Sequence, residues 1–409
     1  MSAVTSPTAW IDPAPSQWTV VPLGTHFDER SETVSDAEFQ PLSVTRNGVV
    51  PQLEHVAKTD NNANRKLVRT GDFAINSRSD RKGSAGLSEF DGSVSVVYTV
   101  LTPRPSIDGR FAHHLLRSTA FQEEFYRWGS GIVEDLWSTR YSAMKRIPLA
   151  IPPPLDEQRA IADYLDQETA RIDALVAKQE EFIGLLRERR SSLVTHQVTH
   201  ASTERIPLRR VVDAIDCAHV TADFVDEDEQ YPVASIRECQ GATVDLSKCK
   251  HTTEKFYSHL RASGRAPSVG DLLFIRNVSV GLVAEVAPGT REFAVGQETV
   301  LLRRKANVDP TFLRYALTSA EVEHAIEGAM IGATFRRINV SAIRSLPVPV
   351  PRFDEQIRIA AHLDEQTARI DTLIAKAEEH VALAKERRAA LITAAVTGQF
   401  DVRTARKAG

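Results

Sequence analysis

Cysteine and histidine are the residue types in this chain best suited to bind a metal ion, but their spacing does not favour a site. Cys217, Cys239 and Cys249 form no CxxC pair, and the local pairings with histidine are Cys217-Ala-His219 and Cys249-Lys-His251. Zinc ligands usually come in pairs separated by about two to four residues, with a second pair further along the chain. We therefore predict no metal site, and free thiols in a reducing compartment.

Sequence motifs that would indicate catalysis are also missing. The chain contains no adenine-methyltransferase [DN]PPY, no phosphate-binding GxxxxGK[ST] and no GxSxG nucleophile elbow. The segment GSGIVED, which begins at Gly129, lacks the third glycine of a dinucleotide-binding fingerprint. The sequence predicts no catalytic residue and no cofactor bound by this chain.

Charge is balanced along the whole chain. The formal net charge is −4 over 409 residues. Residues 1–150 contain 16 Lys and Arg against 17 Asp and Glu, and residues 205–350 contain 18 of each kind. This balance weighs against nucleic-acid binding driven by net charge, so any such binding has to come from local clusters.

The composition is that of a globular protein without a membrane span. No run of about 18 apolar residues occurs. Residues 1–16, MSAVTSPTAWIDPAPS, lack the basic start and the apolar core of a signal peptide and predict a flexible leader. We expect a cytoplasmic protein.

The positioning elements are revealed by an internal repeat, which has to be recognised before the fold is assigned. DQETARIDALVAKQEEF, which starts at Asp166, recurs 198 positions later as DEQTARIDTLIAKAEEH, which starts at Asp364. Asp156–Thr199 aligns with Asp354–Thr397 without a gap, and 25 of the 44 positions are identical. A proline-rich run followed by DEQ precedes both copies, which predicts a helix start after each.

Each copy predicts a helix of about 40 residues, roughly 60 Å long, with a heptad-like apolar seam. The connection from the first copy to the next unit, His200–Leu208, is too short to return the chain along a helix of that length. We therefore predict an antiparallel helix pair, with Arg189, Arg387, Glu168 and Gln366 on the seam helping to fix its register. The predicted seam residues are Ile161, Leu165, Ile172, Leu175, Phe182, Leu186, Leu193, Ile359, Leu363, Ile370, Leu373 and Leu391.

The stretches before the two helices also correspond, although less closely. TGDFAINSR, Thr70–Arg78, matches VGDLLFIRN, Val269–Asn277, and each predicts a glycine turn that leads into a strand. Residues 24–68 and 209–268 diverge freely. The chain thus alternates a variable domain with a constant helix, twice, an arrangement that would hold two different readers at a fixed separation.

This ordered duplication resembles the specificity (S) subunit of Type I restriction–modification systems over nearly the entire chain. No single motif is decisive, and the order in which all of them recur carries the resemblance. They are the proline-then-DEQ starts at Pro152–Gln158 and Pro351–Gln356, the ARID segments at Ala170–Asp173 and Ala368–Asp371, the GD turns at Gly71-Asp72 and Gly270-Asp271, and the closing segment Lys385–Val402.

The resemblance implies an α+β fold in which two α/β target recognition domains are joined by two long antiparallel helices, a coiled-coil spacer with a pseudo-twofold internal repeat. The implied boundaries are a flexible leader at 1–16, target recognition domain 1 at 17–150, spacer helix 1 at 151–203, target recognition domain 2 at 204–350, and spacer helix 2 with the C-terminal tail at 351–409.

The resemblance also implies function. Each recognition domain would read one half of a divided target in double-stranded DNA, and the chain itself would not be an enzyme. It would recruit two modification (methyltransferase) subunits, which use S-adenosylmethionine, and ATP-dependent restriction subunits, which use ATP and Mg²⁺. These cofactors would belong to the partner subunits.

Residues that could contact DNA were chosen because phosphates attract Lys and Arg, and because base edges are read by Arg, Asn, Gln and Lys. The alternative for each of them is a solvated surface position without a role in DNA binding. In the first domain the candidates are Arg65, Lys66, Arg69, Asn76, Arg78, Arg81 and Lys82. In the second they are Lys248, Lys250, Lys255, Arg261, Arg265, Arg276, Asn277, Arg336 and Arg337.

Two other functions are open at this point. The near-neutral domains would suit a coiled-coil adaptor that binds proteins and does not read DNA sequence. A methyltransferase or nuclease with a degenerate site is the other alternative, and activity of the purified chain alone would identify it.

Overall fold

The structure, a computed structural model, describes residues 9–46, 48–52, 64–78, 83–131, 137–216, 222–225, 231–305, 307–330 and 336–405. Within these ranges the fold is mixed α+β, as predicted, with two β-rich domains and two long helices that pack together. The described residues fall into two compact units, one within Met1–Gln179 and Glu379–Gly409, the other within Glu180–Glu378. No helix in the described part of the chain is long and apolar enough to cross a membrane.

The first unit contains the N-terminal β-rich domain. Its strands are β1 Thr19–Pro22, β2 Phe27–Glu29, β3 Thr33–Val34, β4 Leu42–Thr45, β5 Gly48–Pro51, β6 Arg65–Val68, β7 Phe73–Asn76, β8 Ala85–Leu87, β9 Gly92–Ser95, β10 Tyr98–Pro103 and β11 Pro148–Ile151. Its helices are α1 Gly109–Arg117, α2 Thr119–Arg127 and α3 Tyr141–Met144, followed by the long helix α4 Leu155–Ala201, which continues into the second unit.

The second unit contains the other β-rich domain. Its strands are β12 Arg205–Pro207, β13 Val212–Asp216, β14 Phe224–Val225, β15 Tyr231–Ala234, β16 Lys250–Thr252, β17 Leu272–Ile275, β18 Val283–Glu285, β19 Ala294–Val295, β20 Thr299–Arg304 and β21 Pro347–Pro349. Its helices are α5 Glu254–Ala262, α6 Pro310–Leu317, α7 Ala320–Ala329 and α8 Val340–Ser345. The second long helix, α9 Phe353–Val396, ends in the first unit, as does the short helix α10 Val402–Ala405.

The two domains share one skeleton. In the first unit a four-stranded antiparallel sheet has the order β2-β10-β7-β8, and β1 pairs with β11. In the second unit the order β13-β20-β17-β18 and the pair β12-β21 reproduce this arrangement. The remaining sheets differ: β3-β6-β9 with β4-β5 in the first unit, and β14-β16-β15-β19 in the second. The sequence repeat is therefore also a repeat of topology, with unlike additions.

The two GD motifs form the turns that lead into the central strands β7 and β17, as predicted. Gly71 and Gly270 have φ of +91° and +85°, a left-handed conformation that glycine adopts without a steric penalty. The following aspartates close the turns: Asp72 accepts from the Arg69 amide at 2.8 Å, and Asp271 accepts from the Ser268 amide at 2.9 Å. Both carboxylates are buried, so the motif is structural.

The glutamine of each DEQ motif attaches a domain to its long helix. Gln158 is fully buried; its side-chain oxygen accepts from the Asp108 amide at 2.7 Å, and its Nε2 donates to the Pro152 carbonyl at 2.9 Å. Gln356 repeats this with the Asp309 amide at 2.9 Å and the Pro351 carbonyl at 2.8 Å. Buried amide groups of this kind need all their partners, which explains why glutamine stands at both positions.

Within the first unit the long helices run antiparallel. Ile161 of α4 shares an apolar cluster with Val396 of α9. Further along α4, Asp173 accepts from Arg388 Nη2 at 3.1 Å. The position on α9 falls as the position on α4 rises, which is the predicted antiparallel order.

The same order holds within the second unit. Arg187 Nη2 of α4 donates to Glu378 of α9 at 2.8 Å, and Arg190 Nε donates to Asp371 at 2.8 Å. Two of the four predicted register residues are corrected by these pairs, whereas Glu168 and Gln366 are half-buried. Arg189 and Arg387 are exposed, and their neighbours Arg190 and Arg388 form the inter-helix ion pairs.

The predicted seam also needs a correction. Leu175, Phe182 and Leu373 are 51 %, 43 % and 47 % exposed, whereas Val176 and Ile183 are buried. Adjacent residues lie about 100° apart on a helix, and the structure has Val176 and Ile183 on the seam in place of their larger neighbours Leu175 and Phe182. The other predicted seam residues are buried, namely Ile161, Leu165, Leu186, Ile359, Leu363 and Ile370, or half-buried, namely Ile172, Leu193 and Leu391.

Candidate nucleic-acid interface

Two of the candidate contacts in the first unit are buried. Arg65, on β6, is 6 % exposed; its Nε donates to Ser93 Oγ at 2.9 Å and its Nη2 to the Ser93 carbonyl at 3.0 Å. Asn76, at the end of β7, is 3 % exposed, and its Oδ1 accepts from the Arg78 amide at 3.0 Å. These placements correct the prediction for both residues, because side chains committed to the sheet and to a turn cannot also reach DNA.

The next two candidates are held by carboxylates at the surface. Lys66 Nζ lies 3.1 Å from Glu29. Arg69 lies 2.8 Å from Asp91, and its guanidinium stacks 4.9 Å from the centre of the Phe39 ring. Hydrogen bonds from the Thr70 amide and from Arg69 lower the pKa of Asp91 to about 2, so this pair is ionised at neutral pH.

Arg78 is exposed two residues after the end of β7. Its backbone forms a β-bridge with Ser138. Arg81 and Lys82, also predicted to contact DNA, lie outside the described residues.

Four exposed candidates of the second unit lie on β16, on α5 and on the segment before them. Lys248, Lys250, Lys255 and Arg261 are all exposed. Lys250 Nζ lies 4.8 Å from the centre of the Phe224 ring, and Arg261 lies 3.9 Å from Glu292 across open surface. Surface pairs of this kind contribute little to stability, so the cations are available to an anionic ligand.

Three further candidates in this unit face inward. Arg265 Nε donates to the Asp216 carbonyl at 3.1 Å, and Arg276 Nη1 lies 2.6 Å from the Asp216 carboxylate. Asn277 Nδ2 donates to Glu298. Among the described residues, Arg276 Nε and Asn277 Oδ1 are buried side-chain atoms without a hydrogen-bond partner. These interactions within the unit stabilise the segment at the end of β17.

The segment after β17 is joined to Arg336 and Arg337. Asn277 forms a β-bridge with Arg337, the Val278 amide donates to the Arg336 carbonyl at 3.1 Å, and both arginines are exposed. Position 337 corresponds to Ser138 under the offset of 199 residues that relates Asn277 to Arg78. The sequence placed these residues in one domain but did not show that they are neighbours.

Val278 itself was missed by the sequence reasoning. It is exposed and has φ of +61°. Valine rarely adopts a positive φ, so the residue type gives no indication of this backbone conformation.

The described residues hold no group of three or more His, Cys, Asp or Glu that could bind a metal. Cys239 is buried, and burial raises the pKa of its thiol to about 12, so it is not a nucleophile at neutral pH. Cys249 is half-buried, and its Sγ donates to the Leu246 carbonyl at 3.2 Å. Cys217 and His219 lie outside the described residues.

A family model described as the Type I restriction modification DNA specificity domain matches residues 228–381. No curated protein matches the chain. Among solved structures, the chain is similar to one described as the structural basis underlying complex assembly and conformational transition of the type I R-M system: TM-score 0.72, 17 % identity, 95 % of this chain and 99 % of that chain. It is also similar to the HsdS subunit from Thermoanaerobacter tengcongensis, with a TM-score of 0.51, 17 % identity and the same coverage.

Proposed function

We propose that the chain is a DNA specificity subunit of a Type I restriction–modification system, and that its two units read the two halves of a divided DNA target. The family's specificity subunit is the non-catalytic component of the complex. The observation that carries the proposal is one repeated skeleton bearing two unlike accessory sheets. Two readers of the same design but different surface would recognise two different half-sites.

In the second unit we assign the phosphate contacts to Lys248, Lys250, Lys255 and Arg261. They are exposed and lie on or beside the accessory strand β16 and on α5. In the first unit Arg78 is the corresponding exposed candidate, and Lys66 and Arg69 would have to exchange a carboxylate partner for a phosphate. Arg336 and Arg337 lie beside the segment that follows β17, where a directed guanidinium could read a base edge.

The helix pair is proposed to set the distance between the half-sites. Both long helices are continuous across the boundary between the units, and each carries a regular buried seam. A pair of packed helices resists bending more than an unstructured linker does, so the length of the pair can define a gap in base pairs. The proposal includes the predicted boundaries, with recognition domains at 17–150 and 204–350 and spacer helices at 151–203 and 351–409.

The modification subunits are proposed to dock on exposed leucines of the long helices. The first unit exposes Leu175 of α4 and Leu383 of α9, at 51 % and 54 %; the second exposes Leu373 of α9 and Leu185 of α4, at 47 % and 56 %. Leu175 and Leu185 correspond to Leu373 and Leu383 under the 198-residue offset. A pair of exposed leucines that occurs once in each unit suits two copies of one partner subunit.

S-adenosylmethionine, ATP and Mg²⁺ are proposed to be used by the modification and restriction subunits, with restriction subunits as further partners of the complex. The chain's own contribution is to position DNA.

The experiment is a binding titration of the chain, in complex with its modification subunit, on DNA that carries the sequence methylated by this complex. The triple variant Lys248→Gln, Lys250→Gln, Lys255→Gln should weaken binding and lower the slope of log K against log salt by about 2 to 3, because each lost phosphate contact removes about 0.9. The matched control is Arg352→Gln with Arg358→Gln, two exposed cations at the start of α9 in the same unit. A footprint of the same complex on this DNA should show two short protected patches with an unprotected interval between them, and that result supports the proposal. A protein-binding adaptor would protect no specific sequence, and that result would overturn it.

A further inference from the structure

Val278 combines a strained backbone with an exposed apolar side chain. Its φ is +61°, and the residue is 71 % exposed. A β-branched residue in the left-handed region is a genuine outlier, because its branched side chain crowds the backbone there. The other non-glycine residue with positive φ in the described part of the chain is Asn307, a type that tolerates this conformation.

The surrounding backbone holds Val278 in place. The Val278 amide donates to the Arg336 carbonyl at 3.1 Å, and the Ser279 amide donates to the Asn277 carbonyl at 2.7 Å. On either side, the Ile338 amide donates to the Arg276 carbonyl at 3.0 Å and the Gly281 amide donates to the Ile275 carbonyl at 3.0 Å. Strain that is held by so many contacts is typical of functional sites, where it presents a side chain in a fixed direction.

The position of Val278 favours DNA as the ligand. It lies three residues after the end of β17, and two exposed arginines, Arg336 and Arg337, lie on the segment bridged to the neighbouring Asn277. Cations beside an exposed apolar side chain suit a groove, where phosphates line the edges and bases form the floor. The apolar group that a major groove offers is the 5-methyl of thymine.

We propose that Val278 reads thymine in one half-site, packing its methyl groups against the 5-methyl group of the base. The inference rests on the proposed function and adds to it a residue that determines specificity. Arg336 and Arg337 hold the flanking phosphates or base edges and so position the valine.

The test is a double comparison of protein and DNA. Dissociation constants are measured for the complex with the modification subunit on target duplexes in which thymine is replaced by deoxyuridine, which lacks the 5-methyl group, in one half-site at a time. For the unsubstituted protein we expect a loss of about fourfold with deoxyuridine in one half and none in the other, the size that one buried methyl group provides. Val278→Ala should lose about the same factor on the thymine duplex and nothing further on deoxyuridine.

Val269→Ala is the matched control, since Val269 lies in the same unit, is 54 % exposed and is not among the residues with positive φ. It should respond to deoxyuridine as the unsubstituted protein does. The inference is overturned if the unsubstituted protein is insensitive to deoxyuridine in both halves, or if Val278→Ala keeps the full sensitivity. A complete lack of sequence-specific binding would overturn the proposed function, and the inference with it, and is distinguished by the unsubstituted duplex.

Discussion

Arg388 of α9 donates to Asp173 of α4 at 3.1 Å, and the residues that correspond to them under the repeat, Arg190 and Asp371, form the same pair at 2.8 Å. One pair lies in each unit. The repeated charges of the two long helices thus have a common role: each arginine meets the aspartate of the opposite copy. This explains why the sequence identity between the copies extends to partly exposed positions.

Reversing the charge of both arginines should weaken the helix pair. Arg190→Glu with Arg388→Glu places like charges beside Asp371 and Asp173, and we expect a loss of about 1 kcal/mol in the free energy of unfolding per pair, since exposed ion pairs contribute up to about 1 kcal/mol. Urea unfolding at low salt measures it, and restoring opposite charges with Asp173→Arg and Asp371→Arg should recover most of the loss.

The matched control for this reversal is Arg189→Glu with Arg387→Glu. These arginines are the adjacent exposed residues on the same helices. An equal loss in the control would mean that net charge, and not the specific pairing, is responsible.

Removing the buried glutamines should loosen each domain from its helix. Gln158→Ala leaves the Asp108 amide and the Pro152 carbonyl without their partners, and a buried group without a partner costs about 1 to 3 kcal/mol. Gln356→Ala should have a similar effect on the second unit. Differential scanning calorimetry detects the loss, with Gln167→Ala at an exposed position of α4 as the control; equal melting temperatures for Gln158→Ala and the control would contradict this role.

Stability of the first unit should fall as the solution is acidified, in part because of His113. Burial and the nearby Arg117 lower the pKa of His113 to about 3, from about 6.5 in the unfolded chain. Between these pH values His113 binds a proton in the unfolded state but not in the folded state. Its contribution to the free energy of unfolding is therefore fully present above pH 6.5 and decreases toward pH 3.

At pH 5 the loss from this group is about 2 kcal/mol relative to pH 7.5. His113→Gln keeps a polar side chain near Arg117, whose Nη1 lies 2.6 Å from His113 Nε2, and removes the titration. Urea unfolding at the two pH values should therefore show a smaller difference for the variant. The same difference in both proteins would show that His113 does not carry the effect.

Aspartate in place of the exposed leucines should block docking of the modification subunits. Leu175→Asp with Leu373→Asp places a charge on each proposed docking surface, and we expect at least tenfold weaker binding, because burying a leucine contributes about 1.5 to 3 kcal/mol. Analytical ultracentrifugation with the modification subunit measures the affinity and the stoichiometry. Val269→Asp, an exposed valine away from the long helices, is the control, and two bound subunits at unchanged affinity would contradict the assignment.

The sequence revealed the architecture better than the site. A repeat of 25 identical residues in 44 predicts two equal helices, and the length of their connection predicts that they run antiparallel. Whether Leu175 or Val176 lies on the seam depends on a rotation of about 100°, which apolar character alone does not specify. The same holds for Arg65 and Arg78: both are arginines in or near a strand, and only the tertiary structure shows that Arg65 is buried against Ser93 and that Arg78 is exposed.

Backbone geometry accounts for the rest of the difference. The αL conformation of Val278 is imposed by hydrogen bonds to Arg336 and its neighbours, far away in the sequence. No local preference of valine predicts it, and a residue of this kind is found only once the tertiary structure is known.

The claim that the helix pair sets the gap between half-sites is tested most directly by lengthening it. Seven residues inserted in phase after Gln179 and after Glu378, where the helices pass between the units, keep the seam aligned and lengthen the pair by about 10 Å. Sequencing of methylated adenines in cells that express the chain with its modification subunit reports the preferred gap. We expect unchanged half-sites with a gap wider by about three base pairs, at about 3.4 Å each. Methylation at the original spacing would contradict it.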